Sequence, residues 1–390
     1  MEKVIYIYRS LELKEKIGKK SQFLLGPRMT GKTSYINHEL SDLVALSWNL
    51  LDGRLRMSAL SDPSLLREEV EARDLRDCLI VIDEIQKVPQ LLEEVHYLIE
   101  SRNIRFLLTG SSARKLRPGG VNLLGGRAGS MNMHPLVFPE IESTQYKLEQ
   151  IFKSGLLPSA FLSATPEEAL NDYVSLYLNE EIQAEAGVRK LPAFNRFLEI
   201  AALSNTQIVN YTNIGNDVGV SRQTVADWYK ILIDTLIGFE IHPFSKGKKR
   251  KTFGMPKFYF FDVGVARILQ NSPVPSPMQT EFGSFFEHYI FMELIAYLDY
   301  KQIKMPLTYW RTISGFEVDF VLGDKIAIEA KSTKKSDHRD YKGLKALMEE
   351  GIFQRYILVC NEERPRSLEN GIEIMPWRYF LKKLWEGKLL

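Results

Sequence analysis

Short, unbroken apolar runs divide the first third of the chain. FLL (23–25), CLIVIDEIQ (78–86) and IRFLLTGSS (104–112) each carry such a run into a glycine or a polar residue, and a helical pattern separates the last two. Runs of this length are typical of strands that are buried on both faces of a parallel sheet. The pattern therefore predicts an α/β domain with a parallel sheet.

Helical periodicity dominates the middle of the chain. Residues 150–187 are rich in helical pattern, and Thr165 followed by Pro166 marks a capped helix start. Residues 192–270 show two helices, a Gly-Val-Ser turn, a longer helix for which Ser221 is a suitable N-cap, and two strands around a basic loop. This order predicts a winged helix.

The last part of the chain begins with a Pro- and Ser-rich linker (271–279) and a strongly helical stretch (282–298). A hairpin pattern, FEVDFVLGDKIAIEAKST, follows at 316–333. A two-residue turn at Gly323 and Asp324 would mix charged and apolar residues on both faces of this hairpin. A three-residue turn that includes Lys325 would instead collect apolar residues on one face.

Side-chain alternation determines the register of a hairpin wherever one face is buried, so we predict the three-residue turn. This register places Asp319 opposite Glu329, with Cβ atoms about 5 Å apart, and Lys331 on the same face. The other face would contain the apolar residues Val318, Phe320, Leu322, Ile326, Ile328 and Ala330.

Composition limits the class of protein. The 390 residues are 45% hydrophobic and 26% charged with a formal net charge of +2, which predicts several domains and confines any nucleic-acid contact to local patches. Cys78 and Cys360 lie in apolar runs without metal-ligand spacing, as expected in a reducing compartment. Without a signal-peptide pattern or an apolar run that could span a bilayer, we expect a cytoplasmic protein with no membrane partner.

A phosphate-binding motif follows the first strand. Gly26 and Gly31-Lys32-Thr33 have the spacing G-x-x-x-x-G-K-[ST] between a strand and a helix. Lys32 would contact the β- and γ-phosphate oxygens of ATP, and the Thr33 hydroxyl would bind Mg²⁺. The predicted ATP contacts are Gly26, Pro27, Arg28, Met29, Thr30, Gly31, Lys32, Thr33, Ser34 and, from a later strand, Ser111.

Two acids end the second buried run. Asp83 would hold Mg²⁺ and Glu84 would polarise the attacking water, since ligands bind at the carboxyl ends of such strands. The third run ends in Thr109-Gly110-Ser111, whose polar groups could lie between these acids and the γ-phosphate. Arg127, after a Gly-Gly turn, is either a surface residue or a catalytic finger on the nucleotide of a neighbouring copy.

The chain resembles the AAA+ ATPases of bacteria and archaea that carry a C-terminal domain of unknown function. The segments that carry this resemblance are GPRMTGKT, LIVIDEIQ, FLLTGSS, LLGGR and HPLVFPE. The resemblance covers the whole chain. It implies an AAA+ core (1–145), a helical lid or connector packed on that core (146–190), a winged helix (191–275) and a C-terminal nuclease-like α/β domain (276–390). It also implies that copies can assemble into a ring.

The middle region contains candidate nucleic-acid contacts. Residues at the start of the longer helix face the major groove in helix-turn-helix proteins, and six Lys or Arg, including Lys257, lie between Glu240 and Asp262 with no acid. The predicted DNA-binding residues are Arg222, Gln223, Thr224, Lys248, Lys249, Arg250 and Lys251. Winged helices also bind proteins, so a protein partner stays an alternative.

The hairpin residues Asp319, Glu329 and Lys331 resemble the D-x(n)-E-x-K signature of the PD-(D/E)xK nuclease fold. The resemblance implies that an acid on a preceding helix, matched by Glu287, completes the site. Such carboxylates could share a second Mg²⁺ or Mn²⁺ ion, with Lys331 acting on a water. The alternative is a set of ordinary charges on an exposed sheet face.

Three functions are consistent with these motifs. The first is a Mg²⁺-dependent ATPase that is coupled to DNA. The second is an ATP-gated, metal-dependent nuclease. The third is a nucleotide-loaded switch that holds a protein partner, against which Glu84 counts because a pure binder needs no residue that polarises water.

Overall fold

Two sheets organise the chain in the computed structural model, which describes residues 6–112, 123–178, 191–245 and 254–390. Contacts between Cα atoms divide the chain into two compact units. The N-terminal unit runs to Pro135 and includes Asp234–Leu236, and the C-terminal unit contains Leu136–Ile233 and Ile237–Leu390. Within the described residues, no helix has both the length and the apolarity to cross a bilayer.

The N-terminal unit contains a parallel sheet with the strand order β2-β3-β4-β1-β5. Its strands are β1 (Ser21–Leu25), β2 (Val44–Asn49), β3 (Leu79–Asp83), β4 (Arg105–Gly110) and β5 (Ala128–Asn132). The predicted parallel sheet is therefore confirmed, and β1 and β3 are buried along their whole length. Because β4 lies between β1 and β3, its carboxyl end lies between the ends of the two strands that carry the nucleotide motifs.

Helices flank this sheet. They are α1 (Leu13–Lys19), α2 (Lys32–Tyr35), α3 (Gly53–Ser61), α4 (Leu65–Ala72) and α5 (Leu91–Arg102). After Tyr35 the chain continues as one π-helical stretch, Ile36–Leu40. Leu66, Val70, Val95 and Leu98 from α4 and α5 share a buried cluster with the strand residues Ile80 and Phe106.

The C-terminal unit begins with short helices and a helical core. These helices are α6 (Phe138–Ile141), α7 (Leu148–Ser154), α8 (Pro158–Phe161), α9 (Pro166–Asp172), α10 (Leu191–Leu203), α11 (Tyr211–Val218), α12 (Arg222–Asp234) and α13 (Val263–Leu269). Thr165 precedes α9 as predicted, although its side chain makes no capping hydrogen bond.

The segment that we predicted to be a lid or connector shares a buried cluster with α10 and α13. Leu170, Tyr173 and Leu178 lie in one cluster with Phe194 and Val265. The physical reason is that this segment and these helices present complementary apolar faces, which bury each other. Leu176 in this segment is exposed, and the chain at Tyr173–Leu178 is π-helical, so its faces differ from those of an α-helix.

Helices α11 and α12 are joined at 219–221 as the sequence predicts. Gly219 has a left-handed backbone (φ 78°) that ends α11, and the Ser221 hydroxyl accepts a hydrogen bond from Thr224 N at 3.1 Å. The following strands, β6 (Gly238–Pro243) and β7 (Lys257–Phe260), form an antiparallel pair. Strand β6 also pairs in parallel with a later strand, so the predicted wing contributes two strands to the C-terminal sheet.

That sheet has the strand order β12-β13-β11-β10-β9-β8-β6-β7. Its later strands are β8 (Leu307–Arg311), β9 (Glu317–Leu322), β10 (Ile326–Ala330), β11 (Arg355–Cys360), β12 (Arg366–Ser367) and β13 (Ile372–Pro376). Helices α14 (Glu281–Tyr300), α15 (Lys342–Met348) and α16 (Trp377–Trp385) accompany it. Strands β10, β11 and β13 are parallel to one another.

The predicted three-residue turn is confirmed. Leu322 pairs with Ile326 and Phe320 pairs with Ile328, and continuing this register by one residue places Asp319 opposite Glu329.

The predicted apolar face was wrong at Val318. Val318 joins the apolar cluster of Val321 and Ala327, whereas Phe320 packs near the rings of Tyr259 and Phe291. The cause is a register shift in which β9 advances three residues, from Val318 to Val321, while β8 advances two. The alternation of side chains is interrupted there.

Candidate functional site

The phosphate-binding loop follows β1 and ends at α2, as the motif requires. Gly31 has φ 96°, a left-handed conformation that favours glycine, and it is followed directly by the first residue of α2. A Cβ atom at Gly26 would collide with the carbonyl oxygen of Met133. Both glycines are therefore required by the shape of this loop, which leaves the start of the helix open to an anion.

Lys32 is buried within the loop. Its ammonium donates hydrogen bonds to the carbonyl oxygens of Gly26 (2.7 Å) and Pro27 (3.0 Å). The hydroxyl of Thr30 donates to the same Pro27 oxygen at 2.8 Å. The loop thus holds the Lys32 ammonium at the position where it would contact a bound phosphate. The neighbouring Met29 and Ser34 are exposed, and Arg28 is half-buried.

The two predicted Mg²⁺ ligands lie together. The Thr33 hydroxyl donates to Asp83 Oδ2 at 3.0 Å, and the Thr109 hydroxyl donates to Asp83 Oδ1. A hydroxyl and a carboxylate oxygen are the hard ligands that Mg²⁺ prefers, so this pair fits the ion that accompanies ATP. Thr109 stands at the end of β4, between the two motifs.

Glu84 adopts a left-handed backbone with φ 62° and ψ 44°, which is unusual for a residue with a side chain. Its amide donates to the Thr109 hydroxyl at 3.2 Å, and its Oε2 accepts from Gln86 Nε2 at 2.5 Å. Gln86 Nε2 also donates to Ser111 Oγ at 3.1 Å. Ser111, which we predicted to bind ATP, therefore reaches the acid pair through Gln86.

Sequence reasoning missed Gln86 and Arg9. The buried Arg9 guanidinium donates to the carbonyl oxygens of Thr30 (2.5 Å), His134 (2.7 Å) and Pro135 (3.1 Å), so it braces the loop from outside the motif. Gln86 could have been suspected as a polar residue directly after the acid pair. Arg9 has no comparable local signal, since its partners are distant in sequence.

Arg127 lies where the strands of the sheet begin, whereas the phosphate-binding loop lies where they end. It precedes Ala128, which pairs with Ser21 at the start of β1, whereas the loop follows Leu25 at the end. At about 3.3 Å per residue, the five residues of β1 place the two ends of this strand roughly 16 Å apart. Arg127 forms an ion pair with Glu100 of the same chain, so the structure does not bring it to its own nucleotide site.

The predicted DNA contacts are only partly described. Arg222 and Gln223 are exposed at the start of α12, and Gln223 Nε2 donates to Asp227 Oδ1 at 3.0 Å. Thr224 is half-buried and its amide bonds to Ser221. Residues Lys248, Lys249, Arg250 and Lys251 lie outside the described residues.

The C-terminal unit contains a cluster of charges, buried at Lys257, Asp319 and Glu329, that we name the carboxylate–lysine cluster: Lys257, Glu287, Glu317, Asp319, Glu329 and Lys331. Lys331 Nζ lies 2.6 Å from Glu329 Oε1 and 3.6 Å from Asp319 Oδ2. The side chains of Asp319 and Glu329 are only 5% and 7% exposed. The alternative of charges on an exposed sheet face is therefore wrong.

Lys257 connects this cluster to β7. Its Nζ lies 2.6 Å from Glu317 Oε1, 3.2 Å from Glu287 Oε1 and 3.8 Å from Asp319 Oδ1, and its side chain is 3% exposed. We had assigned Lys257 to a phosphate-binding wing. That assignment was wrong because β7 is an edge strand of the C-terminal sheet and Lys257 is turned into the protein.

Burial changes the acidity of the cluster. It raises the pKa of Glu287 to about 7, with Lys257 opposing and Asp319 adding to the shift. It also raises the pKa of Glu329 to about 8, where Asp319 adds to the shift and Lys331 opposes it. Proton uptake by these carboxylates is thus favoured close to neutral pH.

The second metal ion that we predicted does not fit these side chains as they stand. Among the residues that the structure describes, no group of three or more His, Cys, Asp or Glu is placed to hold a metal ion. The ammonium of Lys257 contacts the carboxylates of Glu287 and Asp319 that would be needed. Lys257 therefore supplies the positive charge that an ion would bring.

Comparison with known proteins agrees with part of this description. Residues 18–142 match the model of a family described as an AAA domain. Residues 145–275 and 282–380 match models described as domains of unknown function, DUF8612 and DUF4143 respectively.

One relative is the uncharacterized protein MJ1637 of Methanocaldococcus jannaschii, 23% identical over 375 residues that cover 80% of this chain and 76% of the relative. Similar solved structures include the Aeropyrum pernix ORC1 protein in complex with DNA, at 15% identity and TM-score 0.28 over 70% of this chain and 94% of that chain. Domain III of the Thermotoga maritima replication initiation protein DnaA has 15% identity and TM-score 0.25 over 45% and 83%.

The loop, the Thr33–Asp83 pair and the family match agree on one conclusion. Residues 18–142 are similar to the AAA domain family and contain a P-loop whose Thr33 and Asp83 are placed for nucleotide binding.

Proposed function

We propose that the protein binds and hydrolyses ATP with Mg²⁺ at the phosphate-binding loop and couples hydrolysis to DNA bound by the C-terminal unit. The observation that carries this proposal is that two hydroxyls, of Thr33 at the start of α2 and of Thr109 in β4, both donate to Asp83 at the end of β3. Lys32 and Glu84 are also buried, and both follow the carboxyl ends of strands in the same sheet.

Each residue has a distinct task in hydrolysis. Lys32 exchanges the carbonyl oxygens of Gly26 and Pro27 for phosphate oxygens. Thr33 and Asp83 would hold Mg²⁺, which would supply positive charge to neutralise the phosphates. Glu84 orients the attacking water and takes up its proton as the water oxygen bonds to the γ-phosphorus. The bond from the γ-phosphorus to the bridging oxygen breaks, and ADP leaves with the bonding electrons. Gln86 positions the Glu84 carboxylate through the 2.5 Å hydrogen bond.

The test of hydrolysis compares two variants with one control. Lys32→Ala should abolish ATP binding and turnover, whereas Glu84→Gln should bind ATP and lose turnover. Lys19→Ala, at an exposed position paired with Glu15, should behave as the unaltered protein. Undiminished turnover in Lys32→Ala would falsify the proposal. Nucleotide that is retained through purification, with no turnover in the unaltered protein, would favour the switch instead.

DNA coupling rests on the exposed start of α12. Turnover should rise with single- or double-stranded DNA, and Arg222→Ala with Gln223→Ala should lower DNA affinity and this stimulation. Lys230→Ala, further along the same helix and also exposed, is the matched control. Equal DNA binding by all three proteins would remove α12 from the proposal.

A ring of copies is the arrangement in which Arg127 could serve a neighbour's nucleotide. We propose this role because Arg127 is distant from its own loop. Mass in solution with ATP, measured for the unaltered protein and for Arg127→Ala, tests assembly, and mixing Arg127→Ala with Lys32→Ala subunits tests action between copies. Turnover restored by mixing supports the role, and turnover in Arg127→Ala equal to that of the unaltered protein contradicts it.

Cleavage of nucleic acid is a second candidate. In its favour, the structure gathers all four predicted nuclease residues, Glu287, Asp319, Glu329 and Lys331, in the carboxylate–lysine cluster, and the Lys331 side chain is 38% exposed. Against it, Lys257 contacts two of the carboxylates that would hold a metal. Incubation with DNA, ATP and Mg²⁺ or Mn²⁺ decides the matter, because identical products from the unaltered protein and Glu329→Ala would eliminate cleavage by this cluster.

A further inference from the structure

A cavity of about 820 Å³ lies in the C-terminal unit, apart from the contacts that form the carboxylate–lysine cluster. We name it the Trp377 cavity, and the side chains that matter here are Tyr146, Lys147, Phe282, Lys334, Trp377 and Arg378. Its volume is within the range of small-molecule binding sites.

The Trp377 cavity lies at the carboxyl ends of three parallel strands. Its lining includes Ser332 after β10, Asn361 after β11 and Trp377 after β13. Asn361 joins the ends of β10 and β11. Its side-chain nitrogen donates to the Ser332 carbonyl oxygen at 3.2 Å, and its backbone N–H donates to the Thr333 carbonyl oxygen at 2.8 Å. In open α/β sheets, ligands bind in crevices at these ends.

The charge of the lining favours an anion. The lining contains three cationic residues, Lys147, Lys334 and Arg378, and one carboxylate, that of Glu149. Helices α14 and α16 begin at this cavity, since Phe282, Trp377 and Arg378 belong to their first residues, and helix N-termini add positive potential.

Arg378 is held in place by aromatic rings. Its guanidinium carbon lies 4.3 Å from the centre of the Trp377 ring and 4.9 Å from that of Tyr146. One nitrogen also donates to the Tyr146 carbonyl. A guanidinium fixed in this way presents both a planar surface on which a base can stack and donors for phosphate oxygens.

The cavity also adjoins the carboxylate–lysine cluster. Ser332 follows Lys331 directly, and a Cβ atom at Gly283 would lie 3.9 Å from Ser332 Oγ. Glu287 is four residues beyond Gly283 on α14, one helical turn away. A strand seated in the cavity can therefore extend along α14 toward this cluster.

We propose that the Trp377 cavity binds one nucleotide unit, stacking its base on Arg378 and holding its phosphate with Lys147, Lys334 and Arg378. The unit is either a free mononucleotide or the terminal nucleotide of a single strand. This inference rests on the proposed function, because it names the part of the C-terminal unit that receives nucleic acid.

The test measures binding to the full chain with its ATP site saturated by ADP and Mg²⁺. The probes are AMP and a short 5′-phosphorylated single-stranded oligodeoxynucleotide. The variants are Arg378→Gln and the pair Lys147→Ala with Lys334→Ala. The control is Lys345→Ala with Lys382→Ala, which removes the same charge at exposed positions outside the lining.

Affinity should fall at least roughly fivefold in both cavity variants and stay unchanged in the control. Loss for both probes supports a general nucleotide site, loss for the oligonucleotide alone identifies a strand end, and loss for AMP alone identifies a free nucleotide. Equal affinity in every protein overturns the proposal, as does cavity-dependent binding of a phosphopeptide in place of both probes. ATP turnover without DNA and the unfolding temperature report separately on the ATPase proposal and on folding.

Discussion

Thr109 is the residue that joins the two nucleotide motifs. Its hydroxyl donates to Asp83 and accepts from the amide of Glu84, so it orients both the proposed metal ligand and the acid that we propose to polarise water. The sequence indicates a polar group at this strand end. The choice between Thr109 and Ser111 depends on which side chain points toward β3, and only the packed sheet decides that.

We predict that Thr109→Val lowers ATP turnover by about 10- to 100-fold while nucleotide binding is largely kept. Valine has nearly the same shape but leaves Asp83 and the Glu84 amide without their shared partner. Steady-state turnover and binding of a labelled ATP analogue measure the two effects. Thr109→Ser keeps the hydroxyl and should stay close to normal, and a Thr109→Val protein with normal turnover would contradict the role.

Lys257 is the second residue whose role depends on tertiary structure. We predict that Lys257→Met destabilises the C-terminal unit by about 3–5 kcal/mol near neutral pH, because buried carboxylates lose their cation. Denaturant unfolding followed by tryptophan fluorescence measures this loss. Lys382→Met at an exposed position should change the free energy of unfolding by less than about 0.5 kcal/mol. A similar effect of both substitutions would show that the ion pairs of Lys257 contribute little.

At the scale of elements, α14 connects distant parts of the C-terminal unit through a buried acid. Glu293 Oε1 accepts from Phe138 N at 2.9 Å, and Oε2 accepts from Trp385 Nε1 at 2.7 Å. Burial raises the pKa of Glu293 to about 8 from an ordinary value of 4.5, although these hydrogen bonds oppose the shift. The helix thus carries an acid that titrates differently in the folded and unfolded chains.

Between these two pKa values the folded protein binds a proton that the unfolded chain releases. We therefore predict that the free energy of unfolding falls as pH rises from about 4.5 to about 8, with a contribution from Glu293 of at most about 1.4 kcal/mol per pH unit. Glu293→Gln should reduce this slope. Urea unfolding across this range measures it, with the exposed Glu281→Gln on the same helix as control. An unchanged slope in Glu293→Gln would contradict the assignment.

The hairpin β6–β7 shows how far element prediction extends. The two strands of β6–β7 were predicted from the sequence, and so was the three-residue turn of the β9–β10 hairpin. Both predictions rest on local alternation and turn residues. The pairing of β6 with β8 joins segments that are far apart in sequence, and local patterns carry no signal for it. The register shift in β9 also could not be predicted from local patterns, because it depends on the pairing of β9 with the neighbouring strand β8.

At the scale of the whole molecule, contacts group the chain into two units, and the nucleotide motifs lie in one of them. We predict that a non-hydrolysable ATP analogue with Mg²⁺ stabilises the N-terminal unit selectively, by about 2.7 kcal/mol at a hundredfold excess over its Kd. Hydrogen exchange resolved by peptide measures this for each unit. Lys32→Ala should show no change, and equal protection of both units in the unaltered protein would contradict independent stabilisation.

The sequence by itself determined the phosphate-binding loop, the acid-ended strand, the parallel sheet and the turn of β9–β10. These features depend on residue spacing and alternation within one or two adjacent elements. Tertiary structure alone decided that Thr109 contacts Asp83, that Arg9 braces the loop, that Lys257 enters the carboxylate–lysine cluster and that the Trp377 cavity forms. These depend on contacts between residues far apart along the chain, where burial and charge pairing outweigh local preference.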